Sequence, residues 1–206
     1  MSSFDRDSWE ERWSNALREH GDRLAERPPN AWLTGELAGL DPGRALDAGC
    51  GHGAESLWLA ARGWRVTAVD FSATALERAR SSPGAEQVEW IEADLSTWAP
   101  EPEAYDLVVC LYLHAAGTVE ELVGRMAGGV APGGTLFLVG HLEAAGQQQV
   151  SVEAVRAVLD PERWELVVAE ERLRPVSGTD AVLSALRLPR RPAPLPAPPP
   201  GRTRSG

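Results

Sequence analysis

Asp47-Ala48-Gly49-Cys50-Gly51-His52-Gly53 is the densest run of chemically capable residues in the chain: a carboxylate, then glycines at alternate positions with a thiol and an imidazole between them. Alternate glycines let a backbone turn tightly and approach a ligand with no Cβ in the way. An apolar strand signal over 44–48 runs into the loop, and a helical signal leaves it at Ala54. In an open α/β sheet, that junction at the carboxyl end of a strand is where ligands sit. Asp70 closes the next strand signal 21 residues after Gly49, the interval at which an acid reaches the hydroxyls of a ribose. Phe71, next to it, either lies against a nucleoside base or packs as a strand-end core residue.

Read as Gly49-x-Gly51-x-x-Ala54, the loop also fits the dinucleotide fingerprint, which would make the chain a nicotinamide-dependent oxidoreductase. The neighbouring charges favour a different ligand. Asp47 precedes the loop and Glu55 stands in the first turn of the helix after it. A pyrophosphate would need that helix start for itself, and a carboxylate ~4–6 Å away repels it. S-adenosylmethionine carries an ammonium, a sulfonium and one carboxylate, so an acidic rim suits it. Hydride transfer also calls for an acid such as a Tyr/Lys pair, yet all 20 basic residues are Arg.

These residues can work together only if the chain folds as alternating strands and helices. Strand signals occupy 44–48, 65–69, 87–92, 105–111 and 135–140, with helices over 54–62, 72–80, 119–130 and 151–159 between or after them. Two late strands, 164–172 and 180–188, have no helix between them and predict a hairpin. Such alternation means βαβ crossovers. The expected architecture is a Rossmann-like three-layer αβα sandwich whose mostly parallel sheet has about seven strands, with an antiparallel C-terminal strand. Residues 1–43 read as a helical segment that covers the site, 44–188 as the ligand-binding domain, and 189–206 as a disordered tail. That tail holds seven prolines, four arginines and no acid, a composition that buries no core.

In order and spacing, ALDAGCGHGAESLWLAARGWRVTAVDFS, IEADL, YDLVVCLYLH and VAPGGTLFLVGH resemble successive motifs of the class I S-adenosylmethionine-dependent methyltransferases. Trp9-Glu10-Glu11-Arg12-Trp13 is similar, more loosely, to the branch holding thiopurine and tellurite-resistance methyltransferases. The resemblance implies S-adenosylmethionine as cofactor and assigns roles by position. Asp47 and the backbone at Gly49, Gly51 and Gly53 would face its methionine part, with Cys50 in the same cofactor-binding loop, Asp70 its ribose, and Asp94 with Leu95 its adenine edge. Cys110 would end the fourth strand beside it. Trp9 and Trp13 become lid candidates, against the plainer reading of a helix packed on the sheet. Asp94 has its own plainer reading, as a cap for the segment after Leu95.

Methyl transfer needs alignment and sometimes a base. His114 after the fourth strand is the candidate base, and His141 after the fifth is a second acceptor-side candidate that could also serve as one; each has the plainer reading of a satisfied loop residue. The residues at 110–114, Cys-Leu-Tyr-Leu-His, are not the Asn/Asp-Pro-Pro-Tyr/Phe signature of amide and exocyclic-nitrogen methylation. A net charge of -10 argues against a phosphate backbone as partner. With no large insertion after the fifth strand, the expected partner is a small-molecule methyl acceptor, with no nucleic acid and no membrane. Lack of an unambiguous base leaves open a cofactor-binding protein without turnover. Two cysteines cannot assemble a metal site or a disulfide framework, so no metal is expected, and the default location is the cytoplasm.

Overall fold

A computed structural model describes residues 10–15, 18–19, 27–113, 117–142, 150–174 and 178–190. Residues 10–15 are helical. Helix α1 (Ala31–Glu36) starts where Asn30 accepts from the amides of Trp32 and Leu33, satisfying two of the donors a helix start leaves open. Strand β1 (Arg44–Ala48) leads through the glycine loop into α2 (Ala54–Ala60). Then β2 (Arg65–Asp70) leads to α3 (Ala73–Arg80), capped by the Ser72 side chain on Ala75 N. Strands β3 (Val88–Glu92) and β4 (Tyr105–Leu111) precede α4 (Val119–Gly129), which opens with a reciprocal Thr118/Glu121 capping box. Strand β5 (Val130–His141), α5 (Val152–Val158) and the hairpin β6 (Trp164–Leu173) and β7 (Thr179–Arg187) complete the described elements.

The sheet runs in the order β3-β2-β1-β4-β5-β7-β6. Strands β1 to β5 are mutually parallel, and β7 is antiparallel to both its neighbours. This is the expected mostly parallel seven-stranded sheet, with β7 as its antiparallel strand. Side chains alternate across it. Leu46, Val108, Cys110, Leu136 and Leu138 pack with Val123 and Met126 of α4 and Val155 of α5. Ala45, Leu107, Val109, Phe137 and Val139 pack on the other face with Leu33 of α1 and Leu59 of α2. Period-two alternation with apolar residues on both sides produces the three layers.

The largest boundary difference is at the start of β5. Pro132-Gly133-Gly134 lies inside β5 instead of forming a separate turn ahead of it. The β4–β5 register shifts between Tyr105 and Leu107. A Cβ on Gly134 would stand 2.9–3.0 Å from the carbonyl oxygens of Asp106, Ala131 and Tyr105, so the strand passes an irregular stretch that only glycine fits. Cys50 and Cys110 are buried, unbridged, in the cores of opposite faces.

Candidate active site

The carboxyl ends of β1, β2, β4 and β5 surround a cavity of about 500 Å³. Asp47, Gly49, Cys50, Gly51, Asp70, Phe71, Asp94, Leu95, Trp13 and His141 all line it, so residues chosen from separate motifs meet in one place. Gly49, Gly51 and Gly53 have φ of 78°, 53° and 83°, in the left-handed region where a Cβ is strained. The loop is tied to β2, because the amides of Gly49 and Cys50 both donate to the Val69 carbonyl, at 2.8 and 3.1 Å.

Asp70 is 6% exposed and accepts at both oxygens, from Gly51 N (2.8 Å) and Ser72 N (2.9 Å). Burial pushes its carboxyl above the usual range, and these two amides oppose the shift. Asp47, 2% exposed, accepts from the Ser56 hydroxyl at 2.6 Å. Burial, followed by the charge of Glu55, raises its carboxyl to about 7. Asp94 accepts from Ser96 N at 2.8 Å, and its carbonyl accepts from Trp98 N, so it does cap the following turn while lining the cavity. His52 also lines the cavity, with Nε2 buried and unpartnered among the described residues. Burial and the positive charges of Arg27 and Arg78 lower its pKa to about 4.

Trp13 reaches the loop from the N-terminal helical residues. A Cβ on Gly51 would lie 2.9 Å from Trp13 Cζ2, and the Trp13 and His52 rings are 5.8 Å apart. Glu10 accepts from Thr74 N at 3.0 Å and so ties this segment to the start of α3.

The β4–β5–β7 side of the cavity carries a second cluster. Asp180 of β7 is fully buried and, among the described residues, meets His141 Nδ1 (3.0 Å), Tyr112 OH (2.7 Å) and Trp32 Nε1 (3.3 Å), with Arg174 Nε 3.4 Å away as an ion pair outside hydrogen-bond geometry. Tyr112 stacks on His141 with ring centroids 4.2 Å apart and accepts from Asn30 Nδ2 at 3.2 Å. Burial and then the Asp180 contact push the Tyr112 phenol well above its usual pKa, so it remains a donor. Tyr112 holds φ of +50°, a strained value for a residue with a side chain.

Two expected positions move. Gly53 is the cap of α2 and does not line the cavity; a Cβ there would meet Trp90 at 2.5 Å, so its missing side chain serves helix-on-strand packing. Cys110 does not line it either, because alternation along β4 turns it into the core beneath α4, and Leu111, Tyr112 and Leu113 take the cavity wall. His114 and Trp9 lie outside the described residues.

The pattern of a methyltransferase domain matches residues 45–134. A trans-aconitate 2-methyltransferase of Paracidovorax citrulli is 37% identical over 133 residues, covering 61% of this chain and 49% of that protein. A probable thiol methyltransferase 2 of Arabidopsis thaliana is 30% identical over 178 residues, covering 81% of this chain and 77% of that one. The chain belongs to the class I S-adenosylmethionine-dependent methyltransferases. Among solved members of the fold, the 1,6-didemethyltoxoflavin N1-methyltransferase of Burkholderia thailandensis superposes with a TM-score of 0.61 at 21% identity. The overlap is 87% of each chain. The chain spans about half the length of the first curated relatives it matches, 49% and 48%.

Family membership explains why acids surround the glycine loop, since the cofactor of these methyltransferases is a cation. Sequence reasoning found His141 but missed the groups around it. Asn30, Arg174 and Asp180 belong to no motif; Asn30 and Arg174 line the cavity, and the β5–β7 pairing sets Asp180 against His141. Tyr112 stands inside the fourth-strand motif, but nothing local assigns it a role.

Proposed function

We propose that the chain binds S-adenosylmethionine in this cavity and transfers its methyl group to a small-molecule acceptor. The observation that carries the reading is the convergence of Asp47, Glu55, Asp70 and Asp94 on a glycine loop in the left-handed conformation. Carboxylates so placed favour a cationic ligand and disfavour a pyrophosphate. The donor set fits: Asp70 has lone pairs left for ribose hydroxyls, Asp94 and Leu95 flank the adenine position, and the orphaned His52 Nε2 sits on the loop that faces the methionine part. When bound, S-adenosylmethionine supplies an electrophilic methyl on sulfur. The protein's own task is to hold donor and acceptor in line and to keep water out. Trp13, seated over Gly51, closes the cofactor side.

Calorimetry with S-adenosylmethionine, S-adenosylhomocysteine and NAD tests the reading. The first two should bind and NAD should not. Asp70→Ala should weaken binding on the order of a hundredfold, the worth of two charge-assisted bonds of about 1.5 kcal/mol each. Preferential binding of NAD would refute it. A methyl-release screen over hydroxyl, thiol and carboxylate acceptors separates a working enzyme from a binding protein without turnover.

The net charge of -10 supports a small acceptor over a nucleic acid. Two buried free thiols on opposite faces suit a reducing compartment, and we place the protein in the cytoplasm.

A further inference from the structure

The sheet order divides the cavity. The glycine loop follows β1, Asp70 closes β2 and Asp94 follows β3, whereas Tyr112 follows β4 and His141 and Asp180 stand on β5 and β7. Neighbouring strands lie about 4.8 Å apart, so the β5 residues are about 10 Å across the sheet from the loop after β1. That distance places them on the acceptor's side of the transferred methyl.

On that side a histidine is held by two independent contacts. Asp180 pairs with His141 across the β5–β7 ladder, and its carboxylate meets Nδ1 at 3.0 Å. A carboxylate only accepts, so Nδ1 carries the hydrogen and Nε2 keeps its lone pair. The Tyr112 ring, stacked at 4.2 Å, fixes the plane of the imidazole. Tyr112, Trp32 and Arg174 hold Asp180 in turn, and Tyr112 is held by Asn30. A nucleophile's base that is oriented by a third group has this geometry.

We propose that His141 is the general base of this protein, that Asp180 is its positioning residue, and that the acceptor is a hydroxyl or phenol protonated at working pH. The inference rests on the reading of the cavity as a methyl-transfer site. In the step, Nε2 takes the acceptor's O–H proton, the oxygen lone pair forms the O–CH₃ bond, and the methyl–sulfur bond breaks with its electron pair left on sulfur. The positive charge that leaves the sulfur therefore reappears on His141, where Asp180 offsets it. A carboxylate or thiolate acceptor, already ionised, would give this dyad nothing to do.

The experiment is histidine-ring 15N–1H NMR on the full chain with S-adenosylhomocysteine, run beside methyl transfer to catechol and to thiophenol. Shifts of the Gly49 and Gly51 amides report cofactor binding separately, so their absence would indict the methyltransferase reading and not the dyad. Neutral His141 should appear as the Nδ1–H tautomer. In Asp180→Asn that tautomer preference should be lost. His141→Gln should slow transfer to catechol at least about a hundredfold more than it slows transfer to thiophenolate. The wild-type tautomer reads out even if Asp180→Asn fails to fold. An Nε2–H tautomer, no transfer to catechol, or an undiminished catechol rate in His141→Gln would each overturn the proposal.

Discussion

Asp47 is the residue whose chemistry is most exposed to test. Its carboxyl is raised to about 7 by burial and by Glu55, so near pH 6 it is largely protonated in the absence of a cation. A cationic ligand favours the ionised form. Cofactor affinity should therefore rise between pH 6 and pH 8 and level off above, with proton release seen by calorimetry in buffers of different ionisation enthalpy. Asp47→Asn should flatten that dependence. Stability runs the other way. A carboxyl whose folded pKa lies above its unfolded value of 3.8 binds more protons when folded, so its contribution is present below about pH 4 and is lost as pH rises through about 7. Thermal melts of wild type and Asp47→Asn over that window should diverge toward neutral pH. The cavity residues around the glycine loop were legible because each sits in a contiguous motif at a strand end. Asp180 was not, because its partners His141, Tyr112 and Trp32 are 39, 68 and 148 residues away in the chain. No local pattern marks an acid whose role is set by an antiparallel pairing.

At the scale of elements, the alternation of the strands decides which residues are chemistry and which are packing. Phe137 of β5 is fully buried opposite the α4 face. Phe137→Ala should cost about 3–5 kcal/mol in urea unfolding while leaving cofactor contacts untouched. Gly53 and Gly51 offer a sharper contrast. Alanine at Gly53 meets Trp90 and should lower stability chiefly, whereas alanine at Gly51 meets Trp13 beside Asp70 and should weaken cofactor binding more than it lowers the melting temperature. Gly53→Ala with full stability would show that the α2 cap is not packed against β3. Strand and helix identities were readable from periodicity and caps: Asn30, Ser72 and Ser151 all cap as their residue types predict. The Pro132-Gly133-Gly134 stretch was not, since glycine and proline look alike in a turn and in an irregular strand, and only the carbonyls of Asp106 and Tyr105 distinguish them.

Across the whole molecule, the order β3-β2-β1-β4-β5-β7-β6 puts the glycine loop and Asp70 on one side of the cavity and Tyr112 and His141 on the other. The proposed binding of a cationic nucleoside on the first side and its acceptor on the second depends on that partition and on the acid that closes β2. A crystal structure with S-adenosylhomocysteine tests it most directly. It should show both ribose hydroxyls on the Asp70 carboxylate, the adenine edge at Asp94 and Leu95, and the sulfur turned toward His141. A ligand seated elsewhere, with Asp70 turned to solvent, would contradict the account and leave only the fold.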